Sequence, residues 1–276
     1  MGPAPDGRVT LAAVNTTPSR VKPLPLPGSE PAEALLATEP EARFALHSHD
    51  EWSVGAIVAG TCEFACEGRA YRASAGDLVV MAPRALHTAG ASAGRFEMVM
   101  TYLPARWVAA AVPALTEPPV APWCAAWHAP GLAAELEAHV AGQGCELPRL
   151  LARILTLAAQ RAPAQGGPSH ADPRVEALRR LLQGDAAVPP DLPVLAREMG
   201  LSREHVHRLF RRAVGMAPGH YARLARISRA KAMLRDGHMP AEVAAVCGFA
   251  DQAHFSRWFR RCFGVAPSRY RSAMVG

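Results

Sequence analysis

PAEVAAVCGFADQAHFSRWFRRCFGVAPSRYR, residues 240–271, reads as two short helices joined by a tight turn. Pro240 suits a first helical turn, where its missing N–H costs nothing. Val243, Ala244 and Val246 supply small apolar contacts, and Gly248 follows as a helix stop. Asp251 then caps a second helix, whose apolar positions are Phe255, Trp258, Phe259, Cys262 and Phe263. That i, i+3, i+4, i+7, i+8 stripe buries one face. Gln252, His254, Ser256, Arg257, Arg260 and Arg261 take the other, with no carboxylate after the cap. A helix with an apolar back and a cationic, hydrogen-bonding front suits the DNA major groove.

The stretch has a partner upstream. LAREMGLSREHVHRLFRRAVGMAPGHY (195–221) aligns with VAAVCGFADQAHFSRWFRRCFGVAPSRY, with one extra residue in the second turn. Ala196 matches Ala244, Gly200 matches Gly248, Phe210 matches Phe259, Gly215 matches Gly264, Pro218 matches Pro267 and Tyr221 matches Tyr270. Two copies are too few for a solenoid, so the pattern predicts a pair of helix-turn-helix units. The expected helices are 174–183, 192–199, 203–214, 219–235, 241–247 and 252–263, each bounded by Gly, Pro, Ser or Asp. Helix 219–235 joins the units, with Tyr221, Leu224, Ile227 and Leu234 on its inner side.

In the first reading helix, Val206, Leu209, Phe210, Ala213 and Val214 form the buried stripe. Arg203, His207, Arg208, Arg211 and Arg212 are left outward. Arginine makes either a bidentate pair to guanine or a phosphate clamp. Arg203, His207, Gln252, His254 and Arg257 are the expected base contacts. Arg208, Arg211, Arg260 and Arg261 are the expected phosphate contacts. The 192–214 half, with four arginines in its reading helix against three, is expected to carry at least as much of the DNA contact. Two readers on one linker helix enter successive major grooves if they sit about 34 Å apart.

Charge follows the same division. Residues 170–276 hold 18 Lys+Arg against 9 Asp+Glu, a balance of +9, whereas residues 1–169 carry −3. An anionic partner is therefore expected for the carboxyl-terminal part alone. The 276 residues allow two domains. No apolar run approaches the roughly 20 residues needed to cross a bilayer, and no signal-peptide pattern opens the chain. Six cysteines without an export signal point to free thiols in a reducing cytoplasm.

Residues 1–31 are proline-rich without apolar period and read as a flexible arm, with LPLP (24–27) a candidate docking segment. Residues 32–161 form the next unit. From 43 to 102 the texture is short alternating segments (52–60, 61–68, 70–74, 77–83, 97–102) with glycines at turn spacing, which predicts an antiparallel barrel or sandwich. Cys62, Phe64 and Cys66 share one strand face and are expected in the core. Helical segments follow at 106–112, 132–141 and 147–161. The last has a broad apolar face that must pack on the barrel or on another copy, so a homodimer through this region is expected. Residues 162–172 read as a linker, and 173–276 as the DNA-binding domain.

Ala244, Gly248-Phe249, Asp251, His254-Phe255, Phe259-Arg260, Gly264, Pro267 and Tyr270-Arg271 resemble the signature of the AraC/XylS regulators, a likeness extending over 174–271. The resemblance implies a seven-helix double helix-turn-helix domain, promoter DNA as target, and activation through RNA polymerase. The amino-terminal part resembles the family's cupin-like effector domain. His47-x-His49 at the start of a strand, and the run from Gly76-Asp77 through Pro83 to His87, carry that likeness. Enzymatic cupins add a glutamate to three such histidines as metal ligands. Here the expected glutamate falls on Ser53 or Val54, and Glu51 is off register. The expectation is therefore a small-molecule effector pocket with no metal, lined by His47, His49, Trp52 and His87, with Glu51 and Arg84 nearby. The protein reads as an effector-responsive regulator and not an enzyme. The alternatives are a metal-dependent cupin enzyme fused to a DNA-binding domain, and a DNA-binding protein without a ligand.

Overall fold

The structure, a computed structural model, describes residues 19–28, 32–37, 44–91, 96–115, 123–144, 146–162, 172–183 and 192–276. Most of the expected arm, and residues 163–171 of the expected linker, lie outside the described residues.

Among the described residues, ten strands build two antiparallel sheets facing one another. They are β1 (Arg20–Leu24), β2 (Ala32–Ala37), β3 (Phe44–His47), β4 (Trp52–Ala59), β5 (Thr61–Cys66), β6 (Arg69–Ser74), β7 (Asp77–Met81), β8 (His87–Ala91), β9 (Glu97–Leu103) and β10 (Cys124–His128). One sheet has the order β1-β2-β9-β4-β7-β10 and the other β3-β8-β5-β6. Cys62, Phe64 and Cys66 point inward together, at 2%, 5% and 1% exposure, as their period of two requires.

Three strands escape the alternation argument. β1 lies inside the stretch expected as an arm. It is an edge strand, where Pro23 removes no needed donor, and Leu24 and Leu26 of the LPLP segment are buried. β2 (AEALLA) is built from helix-favouring residues and β10 (CAAWH) carries two alanines, and sheet pairing overrides that preference. His47-x-His49 does not open a strand. His47 ends β3, and His49 lies in the connection to β4.

Helices α1 (Ala105–Ala111), α2 (Pro130–Val140) and α3 (Leu147–Ala159) pack on the outer face of the six-stranded sheet. The apolar stripe of α3, Leu150, Leu151, Ile154, Leu155 and Ala158, is consumed there, each residue at 4% exposure or less. The face expected to pair with a second copy is thus buried within one chain.

Among the described residues, the regular elements of the carboxyl-terminal part are helices: α4 (Pro173–Gln183), α5 (Leu192–Glu198), α6 (Arg203–Val214), α7 (Pro218–Arg235), α8 (Pro240–Val246), α9 (Gln252–Phe263) and α10 (Pro267–Val275). The repeat is exact in its devices. The Ser202 hydroxyl accepts from the His205 N–H (3.1 Å), and the Asp251 carboxylate accepts from the His254 N–H (2.6 Å), capping α6 and α9. Gly215 and Gly264 end the same helices at φ of 80° and 74°. Phe210 meets Tyr221 edge-on at 5.3 Å, and Phe259 meets Tyr270 likewise at 5.5 Å.

Candidate functional site

Two surfaces carry the chemistry, and they adjoin. On the reading helices, Arg203, Arg208, Arg211, Arg212, Gln252, Arg257, Arg260 and Arg261 are exposed, and His207 is half-buried. The buried stripes, Val206 and Phe210 on α6 and Phe255, Phe259, Cys262 and Phe263 on α9, hold these side chains outward. His254, the remaining expected base contact, is half-buried. Its Nε2 accepts from the Trp258 indole N–H at 3.0 Å, and its ring meets Phe249 edge-on at 6.0 Å, so the imidazole is engaged within its own unit. Arg223 of α7 lies over the Trp258 ring at 5.2 Å, adding a cation to the same face.

The second surface is the barrel mouth. His47 and His87 are register partners across β3 and β8, and His49 joins them from the following loop. Their rings lie 4.2, 4.7 and 5.1 Å apart between centroids. One nitrogen from each falls within 4.8 Å of the others. The Nδ1–H of His47 donates to the Ala45 carbonyl (2.7 Å) and that of His87 to the Ala85 carbonyl (2.8 Å). Those bonds fix the tautomer and leave each Nε2 with a free lone pair. Among the described residues, neither nitrogen of His49 has a partner. Burial holds His87 down to about 4. Burial and then the neighbouring histidine hold His47 and His49 well below the usual range, so all three rings are neutral.

A cavity of about 30 Å³ opens beside the cluster, lined by His47, Ser53, His87 and Tyr102 with Phe44, Phe64 and three methionines, 81, 98 and 100. Trp52, expected to line the pocket, does not reach it. Residues alternate along β4, so Ser53 faces the cavity while Trp52 packs on Trp123 on the other side of the sheet, at 5.4 Å. Arg84 also stays away, 60% exposed and paired with Asp50.

The helical part closes this mouth. Phe263, the last residue of α9, lies 5.8 Å from the His47 ring and 5.6 Å from that of His49. Leu46 and Leu86, chain neighbours of His47 and His87, instead pack into the core of the first helix-turn-helix unit. Around the contact runs a buried ionic cluster. Lys231 pairs with Glu33 and lies 3.6 Å from Glu51, while Arg235 bonds Glu51 at 2.9 Å. Burial alone would raise the Glu51 carboxyl, but the Lys231 and Arg235 charges overcome it and lower the pKa. The Ser228 hydroxyl donates to the Ser48 carbonyl at 3.1 Å. Lys231 was the legible signal missed by sequence reading. It is one of two lysines in an arginine-rich chain, and it stands on the inner line Leu224, Ile227, Leu234 of α7. Glu33 and Phe263 gave no comparable signal.

Fold and site together define a class: a barrel whose histidine-lined mouth is covered by a tandem helix-turn-helix domain. Residues 31–159 match the model of the AraC-like ligand binding domain, and residues 195–273 match a helix-turn-helix domain model. These matches span about three quarters of the chain, and the chain belongs to the AraC family. It is 34% identical over 128 residues to the transcriptional activator RhaR of Pectobacterium atrosepticum, covering 46% of this chain and 45% of that protein. It is 33% identical over 99 residues to the transcriptional regulator GbdR of Pseudomonas aeruginosa, covering 36% and 27%. The chain therefore spans less than half the length of these curated relatives. Among solved structures, ToxT of Vibrio cholerae with a bound unsaturated fatty acid superposes at a TM-score of 0.56. That likeness covers 94% of this chain and 95% of ToxT at 13% identity, so it speaks to the fold. No described helix is long and apolar enough to cross a membrane.

Proposed function

We propose that the protein is an effector-responsive, sequence-specific DNA-binding regulator of transcription, an activator working in the cytoplasm. In this reading α6 and α9 enter successive major grooves. Arg203, His207, Gln252 and Arg257 read bases, and Arg208, Arg211, Arg260 and Arg261 hold phosphates. Contact with RNA polymerase and a homodimer belong to the reading through the family. The buried face of α3 is not its support.

One observation carries the coupling. The second reading unit touches the histidine rings through Phe263, and the first packs on Leu46 and Leu86, the chain neighbours of His47 and His87. Whatever alters the cluster alters the seat of both, which is the differential contact that effector linkage requires. Footprinting of the DNA upstream of the gene, with and without candidate effectors, tests the reading. An effector-dependent change in protection is expected, and an indifferent pattern with every effector opposes it.

A specific observation favours a second reading, a DNA-binding protein without an organic ligand. Pockets for drug-sized ligands run from about 300 to 1,000 Å³, and the cavity here is about 30 Å³. A fatty acid of the kind bound by ToxT fits this barrel only if Phe44 and the methionines move aside. Methionines repack readily, and a thermal-shift screen with fatty acids separates the two readings. An enzyme is the weakest reading, because RhaR and GbdR are named as regulators.

A further inference from the structure

Three neutral imidazoles packed together present a hydrogen-bonding problem. His47 and His87 each spend their only proton on a backbone carbonyl, so each Nε2 can act only as an acceptor. His49 has one proton and one lone pair, and among the described residues neither nitrogen is bonded. The cluster thus holds three lone pairs and at most one proton to share among them. The two nitrogens of His49, buried without a partner among the described residues, point to a missing ion or water.

We infer that His47, His49 and His87 form a site for a divalent first-row transition ion such as Zn²⁺. Three features of the protein fit that ion better than they fit an organic ligand. The Nδ1–H bonds of His47 and His87 to carbonyls are the orienting contacts that ligating histidines make, since they aim the opposite nitrogen and raise its basicity. Three imidazoles leave a fourth, open coordination position. The cavity beside His47 and His87, about 30 Å³, has room for a water or small anion there and for little else. Ser53 lines the same cavity with a short hydroxyl side chain and brings no carboxylate to it.

The consequence for regulation rests on the reading above. His49 sits in the 48–51 connection, whose other three residues are each tied to another part of the chain. Ser48 accepts from Ser228 on α7, Asp50 pairs with Arg84, and Glu51 pairs with Arg235 on α7. Fixing His49 on an ion fixes the seat of α7, the helix that joins the two readers. The ion is then the effector, or the anchor for an anionic one.

The test uses the full chain stripped with a chelator and titrated with Zn²⁺ and Co²⁺ against a chromophoric competitor. One ion per chain is expected, with Co²⁺ giving the visible bands of a four-coordinate site built on three nitrogen ligands and Zn²⁺ raising the melting temperature. His49→Ala is expected to weaken binding by more than about 100-fold, beyond the loss of a mere orienting partner. His128→Ala, at an exposed histidine beside Asp77, is expected to change nothing. No stoichiometric binding by the wild-type chain overturns the inference, as does binding that survives His49→Ala, which marks an adventitious ion only. If His49→Ala fails to fold, the wild-type stoichiometry and Co²⁺ spectrum decide. Footprinting of the stripped protein keeps the two readings separate. A metal-binding chain that ignores DNA sinks the regulator alone, and a DNA-binding chain that takes up no ion sinks the site alone.

Discussion

The Tyr270 hydroxyl donates to the Glu33 carboxylate at 2.5 Å, with both residues at 2% exposure, so the helical part is fastened to a strand of the barrel through a buried polar contact. The same tyrosine stacks edge-on against Phe259 inside the second reader. Tyr270→Phe removes the donor while keeping the ring. A hydrogen bond to a charged group contributes about 1.5–3 kcal/mol, and a loss in that range is expected in urea denaturation. An unchanged midpoint contradicts the contact.

Lys231 lies between the Glu33 and Glu51 carboxylates. Lys231→Met strands two buried carboxylates near each other, with only Arg235 left to balance Glu51. Breaking a buried pair in this way costs about 3–5 kcal/mol. Adding Glu33→Gln is expected to recover part of that loss, because the stranded charge goes with it. Additive losses in the double-mutant cycle would show that the two side chains do not interact.

Gly264 and Gly215 end equivalent helices with similar positive φ, so alanine at either carries the same backbone strain, about 1–2 kcal/mol. Their surroundings differ. A Cβ on Gly264 meets the Phe44 ring of β3 at 2.8 Å, whereas a Cβ on Gly215 meets nothing within 4 Å. Gly264→Ala is therefore expected to destabilise more than Gly215→Ala and to loosen the barrel contact. Equal losses, read by thermal melting and limited proteolysis, are the contrary result.

Acid should weaken the structure through the histidine cluster. Burial depresses His87 to about 4 and holds His47 and His49 well below the usual 6.5. Between those values the unfolded chain binds more protons than the folded one, so stability rises with pH there. The contribution is complete above about pH 6.5 and is lost as pH falls towards 4. His87 alone accounts for about 3 kcal/mol over that window. His87→Phe is expected to flatten the pH dependence of urea unfolding, and an unaltered slope contradicts the assignment.

Much of this architecture is legible in the sequence, and the reasons are local. The two readers announce themselves because caps, left-handed glycines and apolar stripes recur at fixed spacing, and each device acts within a few residues. The central strands follow from alternation for the same reason. β2 is invisible because EALLA favours helix, and only its pairing with β1 and β9 makes it a strand. The histidines at 47, 49 and 87 are legible as candidates. Trp52 is a natural fourth choice by proximity, yet strand alternation turns it away from them and offers Ser53 instead. Phe263 and Glu33 reach the site only because two parts of the chain meet, and no local pattern encodes that meeting.

The central claim is that two reading helices engage one stretch of duplex. Hydroxyl-radical footprinting on the DNA upstream of the gene, repeated with Arg203→Ala and Arg257→Ala, tests it most directly. Two protected patches about one helical turn apart are predicted. Arg203→Ala should relax sequence preference in one patch and Arg257→Ala in the other. A single patch, or protection that both variants weaken uniformly on every sequence, would contradict the account.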